Sequence, residues 1–385
     1  MAKANPSDAL TVVQDDTIYA ALELSRENWL VALSFGAGGK LSRHGVEAGD
    51  VDGVLRLIER MRGGRSLRVV SCYEAGPDGF WLHRRLEAAG IENVVIDPSS
   101  LRVDRRSRRR KTDRLDAQMM IQALIDWRGG NRHALRRVRV PSPELEDARR
   151  VERERARLMK ERTAHANRMR GLLVSIGITA NEEGSQFDTR GWPDWLAQQR
   201  QWNGQAVPAQ LSAELVREYQ RLMTIKQQLR VLEKTRPVLP PEQSRQLDTL
   251  ERLRGIGQVI SRGFVGEVLW HGFTNRRQVG AYVGLDPSPW RSGKVNRDQG
   301  ISRAGNRRAR SLMLEAAWLW LRHQPGSELS RWYYAKLGTN YDSRSRRIAA
   351  VALARKLTVL LWRIASTGIV PEDVQLKRCV ATAVN

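Results

Sequence analysis

The chain has 385 residues, with 65 Lys and Arg against 42 Asp and Glu, a formal net charge of +23. That length buries a large core and accommodates two or three domains, and the charge predicts attraction to polyanions, a merely basic soluble protein being the plain alternative. Two cysteines far apart, Cys72 and Cys379, exclude a zinc ribbon or a disulfide framework and point to a reducing cytoplasm, and no stretch approaches the roughly 20 apolar residues of a membrane span.

Residues 1–16 are polar, lack the basic-then-apolar order of a signal peptide, and read as a tail. From 17 to 140 the pattern alternates strands and helices. Residues 18–24 and 29–34 read as a hairpin with 25–28 as its turn. Residues 51–61 read as a helix ended by Arg62-Gly63-Gly64, 67–73 as a buried strand, and 79–89 as a helix stopped by Gly90. A strand at 93–96 and a helix at 111–123 complete the order β-β-α-β-α-β-α, which is that of a mixed α/β layer fold. Between the last strand and the last helix, residues 101–111 hold six Arg, one Lys and one Asp. Such a run is a phosphate-touching loop or a solvated tether.

From 143 to about 175 the chain becomes a long charged helix, with Leu145, Ala148, Val151, Leu158, His165 and Met169 at helical spacing. Residues 209–235 repeat that style through Leu211, Leu215, Tyr219, Leu222, Ile225 and Leu229. Around an insert at 181–208 that carries Trp192, Trp195 and Trp202, the two helices read as an antiparallel hairpin or coiled coil, or equally as two ordinary bundle helices. Either way 141–236 reads as an arm, a spacer or oligomerisation device. Pro237, Pro240 and Pro241 mark a linker, 242–367 a mostly helical C-terminal domain, and 368–385 a tail without clear pattern.

Four acidic residues stand out: Glu23 and Glu74, in or beside the first and third apolar strands, and Asp113 and Asp116 on the helix that follows the basic run. Residues three apart share a helix face, with Cβ atoms roughly 5–6 Å apart. An all-oxygen cluster of this kind suits Mg²⁺ or Mn²⁺. Singly, each has a plain structural reading: Asp113 as a helix cap, Asp116 paired with Arg110 or Arg114, Glu23 on an edge strand, Glu74 at a strand end. Together, in a basic chain, they resemble an RNase-H-like nuclease core, in which metal ions activate a nucleophile and stabilise the leaving oxygen.

Two further segments carry candidate chemistry. In Leu253-Arg254-Gly255-Ile256-Gly257-Gln258-Val259-Ile260, a Gly-x-Gly turn between short helices is either a tight connection or the hairpin of a helix-hairpin-helix. In the second case backbone N–H groups at Gly255 and Gly257 hold a phosphate. In Gly284-Leu285-Asp286-Pro287-Ser288-Pro289-Trp290-Arg291-Ser292-Gly293-Lys294, the Pro-rich run reads as a loop. Ser292 there is flanked by Arg291, Lys294 and Arg297, and no histidine lies nearby to take its proton, so activation would come from the acidic cluster.

These motifs resemble those of the Piv-like DEDD transposases, which include pilin-gene inversion recombinases and many bacterial insertion-sequence transposases. The resemblance spans roughly 17–367. Tyr73-Glu74-Ala75-Gly76 is similar to the family's Glu-Ala-Thr-Gly, and Lys111-Thr112-Asp113-Arg114-Leu115-Asp116-Ala117 to its Lys-Thr-Asp-x-x-Asp-Ala. Arg254-Gly255-Ile256-Gly257 stands where the family has Pro-Gly-Ile-Gly. Gly284-Leu285, Ser292-Gly293, Gly300-Ile301-Ser302 and Gly305-Asn306-Arg307-Arg308-Ala309-Arg310 are similar to its C-terminal domain.

The resemblance implies a RuvC-like N-terminal domain, a coiled-coil arm and a C-terminal transposase domain with a serine nucleophile. It implies action as a dimer or tetramer on double-stranded DNA in the bacterial cytoplasm, at the nucleoid, and for part of the family guidance by a non-coding bridge RNA. Glu23, Glu74, Asp113 and Asp116 would bind Mg²⁺, and Ser292 would form a covalent link to a DNA end. The nucleic-acid contacts expected are Arg102, Arg105, Arg106, Arg108, Arg109, Arg110 and Lys111 in the basic run. Gly255, Gly257, Arg291, Lys294, Arg297, Arg307 and Arg308 would join them from the C-terminal part. One departure stands at the first acidic position, where Glu23 replaces the family's Asp in Ala21-Leu22-Glu23-Leu24-Ser25-Arg26. Its extra methylene displaces the carboxylate by about one C–C bond, against a metal that tolerates little distortion. The alternatives are a metal-only endonuclease resembling a Holliday-junction resolvase, and a catalytically weak nucleic-acid-binding relative.

Overall fold

The computed structural model describes residues 16–101, 113–179, 186–235, 237–292, 295–339 and 341–377, without the side chains of Ser99, Asp113, Arg114 and residues 290–298. The basic run at 102–111, Thr112 and Lys294 thus lie outside the described residues. The chain divides into two compact units, Met1–Val140 and Pro141–Asn385.

In the first unit the order is β1 (Thr17–Glu23), β2 (Asn28–Phe35), β3 (Ser42–Glu47), α1 (Val51–Arg62), β4 (Arg68–Glu74), α2 (Trp81–Ala88), β5 (Glu92–Ile96) and α3 (Asp113–Arg128). The strands form one sheet in the order β3-β2-β1-β4-β5. The β1–β2 and β2–β3 pairs are antiparallel, and β1–β4 and β4–β5 are parallel. Ser25 closes the first turn: its hydroxyl accepts from the Asn28 N–H at 3.2 Å and donates to the Asn28 carbonyl at 2.5 Å. β1 is buried on both faces, which is why it reads as an unbroken apolar run. Ile18, Ala20 and Leu22 join the core that holds Val54, Leu82 and Leu86 of α1 and α2. Tyr19 and Ala21 join the core that holds Ala117, Met120 and Leu124 of α3.

The sequence order β-β-α needs a correction, because β3 is a third strand before the first helix. Its residues, Ser42-Arg43-His44-Gly45-Val46-Glu47, alternate between half-buried and exposed. It pairs only with β2, at the sheet edge. An edge strand half-covered on one face and open on the other has no apolar run to announce it.

In the second unit, α4 (Pro143–Val174) and α6 (Ala209–Lys234) form an antiparallel helical hairpin, with the short α5 (Trp192–Gln198) between them. Leu158 packs with Ile225 and Leu229, His165 meets Glu218, and Met169 and Leu173 pack with Leu215, so partners run in opposite directions. Trp192 plugs the far end of this hairpin, 1% exposed and stacked on Tyr219 at 5.7 Å between ring centroids. The remaining helices are α7 (Pro241–Glu251), α8 (Gln258–Glu267), α9 (Arg276–Val283), α10 (Arg307–His323), α11 (Glu328–Leu337) and α12 (Ser343–Thr367). A two-stranded ribbon, β6 (Pro287–Ser292) and β7 (Val295–Ile301), stands between α9 and α10. This ribbon corrects the expectation of a Pro-rich loop. Pro287 and Pro289 lack the N–H of an ordinary strand residue, and the pairing shifts register between them. Ala349, Leu353, Leu357, Leu361 and Ile364 thread α12 through the core, with Trp320 of α10 beside them. Among the described residues no helix is long and apolar enough to cross a membrane.

Among the described residues two carboxylates are buried inside this second unit, Glu218 within the helical hairpin and Glu267 among α4, α8 and α10. The Glu267 carboxylate, at the end of α8, has a side chain 6% exposed. It accepts hydrogen bonds from Arg153 Nε at 2.9 Å, from Arg149 Nη2 at 3.2 Å and from Asn306 Nδ2 at 3.1 Å, and Arg308 Nε lies 3.3 Å away. Arg149 and Arg153 are one turn apart on α4, while Asn306 caps α10 by accepting from the Arg308 and Ala309 N–H groups. Burial alone would raise the Glu267 carboxyl, but the Arg153 hydrogen bond, the charges of Arg149 and Arg153 and the Asn306 amide outweigh it and bring it down to about 2.

Glu267→Gln keeps the shape and removes the charge, leaving Arg149 nine-tenths buried beside a neutral amide. It should cost on the order of 3 kcal/mol in urea unfolding at pH 7. Because the folded-state carboxyl is depressed, its contribution is complete above pH about 4.5 and is lost as pH falls through about 2. The gap between wild type and variant should therefore be constant from neutral pH down to about 4.5 and narrow below it.

Candidate active site and nucleic-acid interface

The strand register sets the acidic end of the first unit. β1 and β4 are parallel and Leu22 pairs with Tyr73, so Glu23 and Glu74 follow side by side as the last residues of neighbouring strands. Side chains alternate along a strand. Glu23 thus shares the face of Tyr19 and Ala21, and Glu74 the face of Val70 and Cys72, which is the face α3 covers. Both carboxylates are half-buried. The Cys72 thiol is pushed up by burial and then by the Glu74 charge, so it is an inert thiol that senses that carboxylate.

The direction of α3 brings the aspartates to the same end. Arg128, its last residue, lies 3.5 Å from Glu92 at the start of β5, and the Cys72 thiol donates to the Met120 carbonyl at 3.8 Å. The helix therefore runs against β4 and β5, and its N-terminus lies at the strands' C-terminal ends. From Met120 back to Asp116 is about 6 Å of helix rise, and from Cys72 on to Glu74 about 6.6 Å of strand. Half-buried Asp116 thus reaches the level of Glu74, and Asp113 opens the helix one turn further out. The donor set is carboxylate oxygen throughout, which fits a hard divalent cation. Among the described residues, which leave out the Asp113 side chain, no three such groups close on one point.

In the second unit Ser292 is the last residue of β6, paired with Val295 at the far end of the ribbon, and Arg291 and Arg297 stand in its two strands. The near end is bolted down. The Asn306 N–H donates to the Tyr282 carbonyl at 2.7 Å, the Arg303 N–H to Gly284 at 3.2 Å and the Ser302 N–H to Asp286 at 2.8 Å. Two glycines permit this approach: a Cβ on Gly284 would lie 2.0 Å from the Ala304 carbonyl oxygen, and one on Gly305 2.2 Å from that of Tyr282. Asp286 is held in turn by Arg355 of α12 at 2.8 Å.

Beside this clamp is a group that sequence reasoning missed. Arg303 has φ +55, the one positive value among the described non-glycine residues. The Arg310 guanidinium donates to the Val283 carbonyl at 3.1 Å, and it is pulled down by burial and then by the charges of Arg303 and Arg307. Three like charges are thus gathered at the ribbon's base. Arg307 is among the expected nucleic-acid contacts; Arg303, between the two quoted motifs, and Arg310, at the end of the second, carry no local signal because their neighbours are tertiary. The Arg308 guanidinium lies 3.3 Å from Glu267 and donates to the Glu152 carbonyl, with its side chain 40% exposed.

Gly255 and Gly257 lie in the turn between α7 and α8, and they are not equivalent. Gly255 has φ +85, and a Cβ there would meet His323 Cβ at 2.9 Å and the Leu319 carbonyl oxygen at 3.2 Å. Gly257 caps α8 with φ −87 and open space around it. Residues 375–377 cover this turn. The Arg254 N–H donates to the Gln375 carbonyl at 3.0 Å, the Lys377 N–H to Arg252 at 2.8 Å, and the Lys377 ammonium to the Ile256 carbonyl at 3.0 Å. The segment read as a patternless tail is held here by backbone bonds and by the side chains of Gln324, Arg254 and Lys377, with partners distant in sequence.

Comparison with known proteins assigns these parts. A family model described as Transposase, the DEDD type of IS110 elements, matches residues 25–178. The model described as Transposase IS116/IS110/IS902 family matches residues 247–333. The protein named "Putative transposase y4rJ" from Sinorhizobium fredii (strain NBRC 101917 / NGR234) is 40% identical over 96% of this chain and 98% of its own length. The chain belongs to the IS110 transposase family. It is thus an enzyme of a class that cleaves and rejoins DNA. The transposase for insertion sequence element IS1111A of Coxiella burnetii is 27% identical over 75% of each chain. The first match begins two residues past Glu23, and the second spans the turn at Gly255, the ribbon and the arginines at its base.

The two turn glycines give a paired expectation for this transposase. Gly255→Ala should cost roughly 1–3 kcal/mol, because a left-handed residue gains a Cβ against His323. Gly257→Ala should change thermal stability by less than about 0.5 kcal/mol. Equal losses in thermal melts would show that the two positions carry the same constraint.

Proposed function

We propose that this transposase performs Mg²⁺-assisted phosphoryl transfer at the acidic end of its first unit, with Ser292 as the nucleophile. The observation that carries the reading is the convergence of Glu23 and Glu74, from adjacent parallel strands, with the N-terminal turn of α3 that bears Asp113 and Asp116. On this reading strand ends supply two carboxylates and one helix the other two, as in a RuvC-like site. These four residues would hold the cation, which when bound lowers the pKa of a hydroxyl and neutralises charge on a departing oxygen. The glutamate at position 23 is compatible with this role, since a half-buried strand-end side chain has room to adjust by one methylene.

In the step proposed, Ser292 Oγ attacks a DNA phosphorus as the bond from phosphorus to a deoxyribose oxygen breaks. The serine proton leaves to a base, and the departing oxygen ends as a hydroxyl. One phosphodiester is exchanged for one phosphoserine bond, so rejoining needs no ATP, and the chain holds no Gly-x-x-x-x-Gly-Lys-Ser/Thr loop. Arg303, Arg307 and Arg310 at the ribbon's base would receive the phosphates on either side of the scissile one. On this reading the protein works as a dimer or tetramer, with the carboxylates of one copy serving the serine of another, and a non-coding bridge RNA is a candidate guide.

Two substitutions separate the parts. Asp116→Asn should abolish strand cleavage in Mg²⁺ while duplex binding, measured in EDTA, stays within about twofold, because one charge is altered in a chain of net charge +23. Cleavage at the wild-type rate would remove Asp116 from the site. With wild-type protein and a substrate nicked to prevent rejoining, a denaturant-stable protein–DNA adduct should accumulate and map to Ser292, and Ser292→Ala should abolish it. Cleaved ends without any adduct would instead support hydrolysis by the carboxylate site alone, the resolvase-like alternative.

A further inference from the structure

The corner between α11 and α12 concentrates exposed rings and positive charge, with Arg355 neutralised by Asp286. Residues 331–356 carry seven Lys or Arg and one acid, Asp342, whose carboxylate is occupied in capping α12 by accepting from the Ser345 N–H at 2.7 Å. All of 341–348 is exposed, so the first turns of α12 project from the core that its later residues help to build. Tyr334 is 51% exposed, Tyr341 47% and Ile348 57%. These rings are linked through the helices. Tyr334 packs edge-on to Tyr333 at 5.3 Å, the Tyr333 hydroxyl donates to the Arg346 carbonyl at 3.5 Å, and the Arg346 guanidinium lies 6.0 Å from the Tyr341 ring. On the flank, the Trp332 ring stands between the ammonium groups of Lys356 at 4.6 Å and Lys336 at 5.9 Å.

An exposed tyrosine by itself is ordinary. Here two are set among basic side chains on rigid helices, where a polyanion meets positive charge and flat rings together. In a duplex the base faces are already stacked and out of reach. Unpaired bases offer theirs, and stacking on aromatic side chains beside backbone-tracking Lys and Arg is the general way in which single strands are held.

We propose that the α11–α12 corner is a binding surface for a single-stranded segment of nucleic acid. Tyr334 and Tyr341 act as base-stacking platforms, and Lys336, Arg344 and Arg347 contact the phosphates. The site needs neither the carboxylates nor Ser292, so it stands or falls separately from the catalytic reading. DNA freed during strand exchange and an RNA strand present the same chemistry of bases and phosphates.

The test uses the full chain in EDTA, with labelled homopyrimidine single strands of DNA and RNA and a mixed-sequence duplex, followed by fluorescence anisotropy across a salt series. Tyr334→Ala with Tyr341→Ala should weaken single-strand binding by at least about 5-fold for each ring lost, and duplex binding should weaken less. Tyr334→Phe with Tyr341→Phe keeps the rings and should restore affinity. Arg344→Ser with Arg347→Ser should flatten the single-strand salt slope by about 0.7 for each contact removed. A loss confined to one type of single strand supports the surface and names its source. Unchanged single-strand affinity, or equal losses for duplex and single strand, overturns the proposal. A change in oligomeric state by sedimentation with affinity intact also overturns it, and would assign the corner to a second copy of the chain. Since both tyrosines are half exposed, unchanged thermal melting of the variants is the check on folding.

Discussion

The buried Glu267 carboxylate ties three helices of the second unit together. The Glu267 carboxylate has almost no solvent, and its charge is tolerable only because guanidinium groups from α4 and α10 and the Asn306 amide surround it. In a low-dielectric interior such contacts are strong, and an unmatched charge is costly. Breaking any one of them leaves charge uncompensated, so α4, α8 and α10 are fixed as a set. The same Asn306 caps α10 and donates its backbone N–H to Tyr282. A helical arm, the base of the ribbon and the cluster of Arg303, Arg307 and Arg310 are therefore positioned by bonds that share one residue. Tyr282 is drawn in as well: burial raises its hydroxyl, and the Asn306 amide donates to it at 2.9 Å.

The first unit uses a different constraint, strand parity. A sheet in which β1 and β4 are parallel places equivalent ends together, and period-two alternation fixes which face the terminal side chains share. Moving either strand by one residue would turn its glutamate to the opposite face, among Leu82 and Leu86. The apolar core under α3 is what prevents that slip: Ala21, Cys72 and Met120 fill its interior, and Glu23 and Glu74 fall where the core runs out. The acidity of this end and the basicity of the rest of the chain are complementary. A long-range positive field draws in a polyanion, and a local cluster of carboxylates prefers a divalent cation to the phosphate itself.

The sequence made the acidic positions legible because they sit at the ends of apolar runs whose periodicity is unambiguous. β1, β4 and β5 are buried strands, and α3 carries its aspartates at helical spacing. The edge strand β3 was hidden by its polar alternation, and β6 by its prolines. The docking of residues 375–377 on the α7–α8 turn was hidden because its partners, Arg252, Arg254, Ile256 and Gln324, lie 51 or more residues away in sequence. Trp192 was visible as an unexplained tryptophan, but only the antiparallel pairing of α4 with α6 creates the cavity that it fills.

By itself, then, the sequence determined the things that depend on local pattern and total charge. These are the mixed α/β first part, the two long amphipathic helices, the helical remainder, the carboxylates and the attraction to nucleic acid. Family membership followed from short motifs, because those hold residues whose chemistry or backbone conformation tolerates few substitutes. Tertiary structure decided what each of the many arginines is set against. Arg149, Arg153 and Arg308 spend their charge on Glu267, whereas Arg303, Arg307 and Arg310 are gathered against one another. All six look alike in one dimension, since a guanidinium's role is set by the carboxylate or carbonyl that the fold brings within about 3 Å of it, and that partner can lie more than a hundred residues away.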